Sequence, residues 1–305
     1  MSVLARRTDV DEGLFDGLAG DGRPLIAAGA LGFLASGLFL MLLAATAAFL
    51  PHDLAWVGMG VEELAAIADR RVVAFMVHDR FAFGGALVAV AILHLWLVRF
   101  GTIGRPLLAW LTLVASAGAG FASFLAFLGF GYLDTWHAAA TLLLLALYVA
   151  GLWRLHGSIR EARWQWPARP TLGRALLGSA AIGLTGGGLA VLLVGATEVF
   201  VPSDMVFIGG EAVALAGLDP DLVPLIAHDR ASFGGAVLST GVATIGVVLA
   251  MPRSRSRTQA LALAGLAGFG AALGIHVAVG YLDVVHLAPA VVGATLYAGG
   301  LLLDG

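Results

Sequence analysis

Eight long apolar segments constrain this chain more than any other feature of its sequence. A helix needs roughly 20 apolar residues to cross the hydrocarbon core of a bilayer, which is about 30 Å thick. The composition, 60% hydrophobic and 12% charged over 305 residues, is too apolar for a soluble domain of this size. The sequence therefore predicts an all-α integral membrane protein whose main partner is the lipid bilayer. The predicted spans are residues 24–50, 78–98, 106–130, 135–153, 175–201, 228–251, 260–280 and 284–303.

The distribution of arginine predicts how the chain is oriented in the membrane. Eight spans place both termini on one side, and all but four of the seventeen basic residues fall on that side. Basic residues concentrate in cytoplasmic loops, so we expect both termini to be cytoplasmic and the protein to be a multi-pass protein of the inner membrane. The absence of lysine beside so many arginines is typical of a high-GC genome, which predicts a bacterial source. The four exceptions are Arg70, Arg71, Arg80 and Arg230.

Composition also excludes two classes of function. The net charge of −3, without any basic stripe, excludes nucleic-acid binding as a main role. The absence of cysteine excludes iron–sulfur clusters, thiolate metal sites and cysteine nucleophiles. The sequence names no substrate and no reaction, so catalytic residues cannot be assigned from it.

Three ordered internal matches indicate a duplication. Residues 78–86 (HDRFAFGGA) match 228–236 (HDRASFGGA) at seven of nine positions, and 131–137 (GYLDTWH) match 280–286 (GYLDVVH) at five of seven. A weaker match joins 49–58 to 200–209. We expect two tandem four-helix repeats, and an even number of spans in each makes the repeats parallel. The predicted organisation is an N-terminal cytoplasmic segment (1–23), a first repeat (24–156), an arginine-rich cytoplasmic linker (157–174) and a second repeat (175–305).

The repeated motifs bring ionisable side chains to the outer face. In Asp-x-x-His, three helical steps leave the two side chains about 60° apart, so each pair can approach one ligand. The topology adds a His-Asp pair from a neighbouring helix in each copy. Nitrogen and oxygen ligands without thiolates suit a divalent transition metal such as Zn, Fe, Mn or Cu. The candidate metal ligands are His78, Asp79, Asp134, His137, His228, Asp229, Asp283 and His286.

Four further residues complete the predicted cluster. Arg80 and Arg230 are expected to pair with neighbouring acids, while Asp53 and Asp204 are either further ligands or acceptors that orient a histidine. His276 lies near the same depth and has no histidine at the matching position of the first copy, so the two halves need not be equivalent.

Three interpretations stay open. The first is a structural network of helix-capping aspartates and paired arginines, in a transporter or in a membrane anchor for a partner protein. The second is a site for a metal or for redox or proton-transfer chemistry. The third is a site for a quinone or another ligand from the lipid phase. The middles of the spans are nearly free of charge, which argues against a charged relay through the bilayer.

Overall fold

The protein is helical throughout its described parts. The structure, a computed structural model, describes residues 13–67, 70–125, 129, 131–132, 135–164, 171–210, 212–250 and 253–304, and these ranges contain no β-strand. The helices, in chain order, are α1 (Leu14–Ala19), α2 (Arg23–Ala45), α3 (Pro51–Val57), α4 (Val61–Ile67), α5 (Arg70–Gly104), α6 (Pro106–Ser123), α7 (Thr135–Ile159), α8 (Leu172–Ala196), α9 (Pro202–Ile208), α10 (Ala212–Leu218), α11 (Leu222–Ala250), α12 (Arg255–Val279) and α13 (Val284–Leu303).

Eight of these helices are long and apolar enough to cross a membrane, as the sequence predicts. They are α2, α5, α6, α7, α8, α11, α12 and α13. The helices α5 and α11 show the largest differences, since they begin eight and six residues earlier than predicted because the residues before each His-Asp-Arg motif continue the helix. The motif at residue 78 therefore lies about two turns inside α5, and the motif at residue 228 nearly as far inside α11. Both motifs are buried within the protein and do not lie at a helix start.

The helices α5 and α11 form the centre of the bundle. In their apolar windows 72% and 67% of the residues are buried, against 11% to 33% in the six other long helices. Each central helix packs against the first long helix of its own half, α2 on α5 and α8 on α11. Each also packs against the third long helix of the other half, α12 on α5 and α6 on α11. This crossed packing places residues of one half beside the central helix of the other.

Glycines let α8 and α11 approach backbone to backbone. A Cβ atom at Gly188, Gly195, Gly234 or Gly241 would collide with main-chain atoms of the partner helix. Such close approach through small residues is typical of helices that pack within membranes. In the first half, Gly37 of α2 and Gly84 of α5 allow the same close approach, since a Cβ atom at either would lie 2.6–2.7 Å from the carbonyl oxygen of the other.

One end of the bundle, which we call the histidine end, is covered by the four short helices α3, α4, α9 and α10. The helices α3 and α9 begin with proline, and Asp53 and Asp204 at their third positions accept hydrogen bonds from the backbone N–H of Leu50 (3.3 Å) and Val201 (2.7 Å). Apolar side chains from the short helices pack against the first turns of α5 and α11. The two His-Asp-Arg motifs are therefore covered by protein at this end of the bundle.

The opposite end, the arginine end, is held by buried or partly buried arginines. Arg105 donates to the carbonyl of Leu249 (2.8 Å) and Arg174 to that of Val248 (2.6 Å). These carbonyls belong to the last turn of α11, where cations are favoured by the helix dipole. Arg257 forms an ion pair with Asp304 near the C-terminus.

Candidate functional site

Two buried arginines organise the histidine end, and each lies between carboxylates from both halves. Arg80 Nη1 lies 2.8 Å from Asp53 Oδ2, and Arg80 Nε donates to Asp229 Oδ2 at 2.6 Å. The same pattern recurs around Arg230, which is bonded to Asp204 and also donates to the Val199 carbonyl (3.2 Å). A buried charge needs partners of this kind, because leaving it unpaired is costly.

The arrangement around Arg230 differs in one contact. Asp79 stands where Asp229 stands in the other arrangement, and its charge acts on Arg230. Within the described part of the chain, however, Asp79 Oδ2 and Arg230 Nε are buried and have no hydrogen-bond partner. One carboxylate oxygen next to His78 is thus still available to a bound group.

A tyrosine completes each set. Tyr132 donates its hydroxyl to Asp53 Oδ1 (2.5 Å), and Tyr281 donates to Asp204 Oδ1 (2.8 Å). Burial raises the pKa of Tyr132, and the neighbouring Asp53 carboxylate raises it further. Burial likewise raises the pKa of Tyr281, with a contribution from Asp204. Both hydroxyls therefore stay protonated at neutral pH and act as donors. We call each set of arginine, carboxylates and tyrosine a frame.

Three histidines meet beside the second frame, and we call them the His276 cluster. They are His78 from α5, His276 from the last turn of α12 and His286 from the first turn of α13. The Nε2 atoms of His78 and His276 are 3.0 Å apart, and one ligand atom of each of the three rings lies within 4.8 Å of the others. His78 and His276 are buried, while the His286 side chain is 17% exposed.

The other ring nitrogens of the His276 cluster all contact protein groups. His276 Nδ1 is 2.6 Å from the carbonyl of Ala272, which can only accept, so this nitrogen carries the hydrogen. His286 Nδ1 is 3.0 Å from the Tyr281 oxygen, whose own hydrogen is donated to Asp204. His78 Nδ1 lies 3.1 Å from Asp79 Oδ1 in a geometry that forms no hydrogen bond, so this contact is electrostatic.

These contacts assign the protons of the cluster. A neutral His276 that donates through Nδ1 has a lone pair at Nε2, whereas His286 Nδ1 also contacts the Ser203 hydroxyl (3.3 Å), which can donate or accept. The Nε2 lone pair of His276 therefore faces His78 Nε2 at 3.0 Å. Two imidazole nitrogens this close need a proton or a metal cation between them. Histidines that bind metals show this pattern, in which the outer nitrogen is fixed by a carboxylate, a carbonyl or a hydroxyl.

A second group of three histidines, the His52 cluster, lies beside the first frame. It consists of His52 from α3, His137 from α7 and His228 from α11. The rings of His137 and His228 are nearly parallel, with centroids 5.5 Å apart, and the ring of His52 meets that of His137 edge-on at 4.9 Å. His228 Nδ1 donates to Asp229 Oδ1 at 3.0 Å.

The predicted site residues gather at this end, but their rings meet across the two halves. The sequence placed His78 with His137 of the same copy. In the structure His78 contacts His286, with ring centroids 6.1 Å apart, and His137 stacks on His228. The crossed packing explains the exchange. The helix α6 packs on α11 and is followed in the chain by α7, and the helix α12 packs on α5 and is followed by α13.

One of the predicted ligands does not enter these clusters. Asp283 is exposed and caps α13, since its Oδ1 accepts from the backbone N–H of His286 (2.7 Å). That contact corresponds to the capping alternative of the sequence analysis. Asp134, its match in the first half, lies outside the described residues.

The two histidines that distinguish the clusters have no histidine at the matching position. His52 is matched by Ser203, and His276 by Phe127, which lies outside the described residues. A search for repeated residues passes over both. The available signal is their position, because His52 lies inside a matched motif and His276 one turn before another.

A third polar network crosses the middle of the bundle. His94, fully buried, contacts the Tyr148 hydroxyl through Nδ1 (2.6 Å) and Ser116 Oγ through Nε2 (2.8 Å). Ser116 continues the network to Ser239 on α11 (2.8 Å). Both nitrogens of His94 are thus engaged by protein groups, which is typical of a structural buried histidine.

The part of the chain that the structure describes is therefore helical, with eight helices able to cross a membrane and a cluster of three histidines, two buried and one partly buried. Comparisons with models of known protein families, with curated proteins and with solved structures find no match.

Proposed function

We propose that this protein is a multi-pass membrane protein that binds one divalent transition-metal ion through His78, His276 and His286. The observation that carries the proposal is the 3.0 Å separation of the His78 and His276 Nε2 atoms, with a lone pair on His276 directed into the gap. One ring nitrogen of the third residue, His286, lies within 4.8 Å of ligand nitrogens of the other two.

The ligand set decides the class of metal. Three imidazoles without thiolates suit Zn, Cu or Fe, and the general order of affinities places Cu²⁺ and Zn²⁺ ahead of Fe²⁺ and Mn²⁺. Zinc–nitrogen bonds of about 2.0–2.1 Å require ligand nitrogens slightly more than 3 Å apart, which is nearly the spacing of His78 and His276, and the His286 nitrogen starts within 4.8 Å of them. Three protein ligands leave a fourth position for water or a substrate, as in catalytic zinc sites.

The surrounding charges support a cation here. Asp79 and Asp204 contribute two negative charges and Arg230 one positive charge, so the frame is net negative before any ion binds. A divalent ion would change the net charge of these groups from negative to a single positive charge, and a hydroxide bound with the ion would bring it to zero. The unpartnered Asp79 Oδ2 also gains an oppositely charged neighbour.

We further propose that the chain is two parallel copies of a four-helix unit with both termini in the cytoplasm and the histidine end on the opposite side of the inner membrane. In support, matched residues take matched places: Pro51 and Pro202 each begin a short helix, and Tyr132 and Tyr281 each donate to an aspartate. The arginines of the opposite end agree with the positive-inside rule.

A proton in place of the metal is the second candidate. His78, as a neutral imidazole with its hydrogen on Nε2, would donate that hydrogen to His276 Nε2, and its Nδ1 would be an acceptor without a hydrogen-bond partner among the described residues. The cluster would then be structural or would transfer protons. A metal titration separates the two candidates.

The test uses detergent-purified full-length protein stripped with a chelator and titrated with Zn²⁺ against a chromophoric competitor. We expect one equivalent to bind, and His286→Gln to weaken binding at least about 100-fold, since one of three ligands is lost. His156→Gln is the matched control, because it makes the same substitution at an exposed histidine of α7 that belongs to neither cluster. Absence of stoichiometric binding, or equal loss in both variants, would contradict the proposal.

A further inference from the structure

A large cavity extends from the His52 cluster toward the middle of the bundle. Its volume is about 840 Å³, within the range of about 300–1,000 Å³ that is usual for small-molecule sites. Along α5 the lining runs from Arg80 to Val90, and along α11 from His228 to Ser239, which is about 15 Å of helix. Charged groups and imidazoles line one end, and mainly aliphatic and aromatic side chains line the rest. The cavity therefore has the shape and polarity of an amphiphile.

The cavity reaches the outer surface between α2 and α7. These helices pack closely where a Cβ atom at Gly32 would meet Leu144. Farther toward the histidine end they line the cavity, where Phe39 of α2 is 54% exposed and Trp136 of α7 is 76% exposed. Large apolar side chains so exposed on helices of this kind face lipid. A ligand can therefore enter from the bilayer.

The charges at the polar end are already matched within the protein. The two oxygens of Asp53 contact Tyr132 and Arg80, and the two oxygens of Asp229 contact His228 and Arg80. An ionic head group would have to break one of these pairs or remain uncompensated in a buried place. A neutral head group adds without that cost.

The imidazole chemistry specifies the head group further. His228 donates Nδ1–H to Asp229, so Nε2 is the acceptor of that ring and suits a hydroxyl donor. Phe83, one turn from Arg80, and Phe124 line the cavity near this end and offer aromatic surfaces to a ring. We propose that this cavity binds a neutral isoprenoid lipid whose head bears a hydroxyl group, as in a quinol, with the head at His137 and His228. This binding is independent of the metal at the His276 cluster.

The test uses full-length protein in phosphatidylcholine nanodiscs, titrated with decyl-ubiquinol, decyl-ubiquinone and farnesol. Trp136 lines the cavity, so tryptophan fluorescence reports binding. We expect saturable binding, with the quinol at least about tenfold tighter than the quinone, because only the quinol donates a hydroxyl hydrogen. Farnesol as tight as the quinol would support the same chemistry and identify an isoprenoid alcohol as the source, whereas weaker farnesol binding would identify a ring-headed quinol.

A pair of neighbouring substitutions tests the location. Ala140 of α7 lines the cavity, so Ala140→Phe fills it and should weaken binding at least tenfold. Ala139→Phe, at the next and also exposed position, should leave binding unchanged. A far-UV circular dichroism spectrum and a gel-filtration profile that match those of the unsubstituted protein show that Ala140→Phe is folded. Equal affinity of Ala140→Phe and Ala139→Phe for the quinol would overturn the proposal. So would native mass spectra showing that a phospholipid is the only lipid that Ala140→Phe fails to retain.

Discussion

The two histidine clusters have nearly the same frame but differ in the third histidine. Each frame joins an arginine to carboxylates of both halves and to a tyrosine, and each cluster pairs a histidine of a central helix with one from the start of a fourth helix. The third ring comes from the long helix α12 in one cluster and from the short helix α3 in the other.

The position of the third ring changes what a cluster can bind. His276 is held by a hydrogen bond to Ala272 in a packed helix and brings its nitrogen to 3.0 Å from His78. His52 meets His137 edge-on, beside an open cavity. We therefore attribute the difference that we propose, a metal at one cluster and a lipid head group at the other, to the third ring.

The largest effect should come from breaking a frame. We expect Arg80→Leu and Arg230→Leu each to lower the free energy of unfolding by about 3–5 kcal/mol, because each leaves buried carboxylates uncompensated. Arg160→Leu, at an exposed position after α7, should change it by no more than about 0.5 kcal/mol. Denaturant titration in detergent measures all three. Stability of either frame variant equal to that of Arg160→Leu would show that the frames do not hold the histidine end together.

The next effect tests the third histidine, by giving each half the residue of the other. His276→Phe should weaken Zn²⁺ binding at least about 100-fold through loss of a ligand. His52→Ser should leave Zn²⁺ affinity unchanged, because His52 belongs to the other cluster. Competition titration measures both affinities. The comparison fails if His52→Ser weakens zinc binding as much as His276→Phe does.

Substitution of the aspartate beside each central histidine should give a smaller difference in Zn²⁺ affinity between the two clusters. Asp79→Asn should lower Zn²⁺ affinity about 10–100-fold, since Asp79 contacts the outer nitrogen of His78. Asp229→Asn should leave that affinity unchanged and instead destabilise the protein, because it weakens the pair with Arg80. Affinity and unfolding free energy should be measured on both variants, and an equal affinity loss in both would contradict the assignment.

A smaller effect is expected from the tyrosines. Tyr281→Phe removes one of two oxygens that contact His286 Nδ1 while Ser203 Oγ is kept, so it should lower Zn²⁺ affinity by about tenfold. Tyr132→Phe, the matched change in the other frame, should have no effect on zinc. The same competition titration measures the Zn²⁺ affinity of both variants, and an equal loss in the two would contradict the prediction.

The tyrosines also predict a pH dependence of stability. Burial and the adjacent aspartates raise the pKa of Tyr132 and of Tyr281 in the folded protein. The unfolded chain releases these protons from about pH 10 upward while the folded protein keeps them. Their contribution to stability is therefore complete below about pH 10 and is lost as the pH rises above it. The double variant Tyr132→Phe, Tyr281→Phe should show a shallower fall in unfolding free energy between pH 9 and 11.

The sequence predicts the helices well and their partners poorly. Hydrophobicity and the about 20-residue length required by a bilayer are local properties, so eight crossing helices follow from the residues alone. The starts of α5 and α11 were placed too late because a polar motif was taken as the boundary, whereas Phe75 and Met76 continue the apolar helix before His78.

The grouping of side chains depends on which helices touch. Nothing in a repeated motif says whether His78 will meet His137 of its own half or His286 of the other. The crossed packing of α6 on α11 and α12 on α5 decides it. His52 and His276 escape repeat analysis for a related reason, because what sets the two halves apart is, by definition, not repeated.

The most direct test of the central claim is X-ray absorption spectroscopy of the zinc-loaded protein. The account predicts one zinc ion with three imidazole nitrogens at about 2.0–2.1 Å, and two imidazoles in His276→Phe loaded at high zinc concentration. A zinc ion bound by oxygen atoms alone, or a spectrum unchanged in His276→Phe, would contradict it.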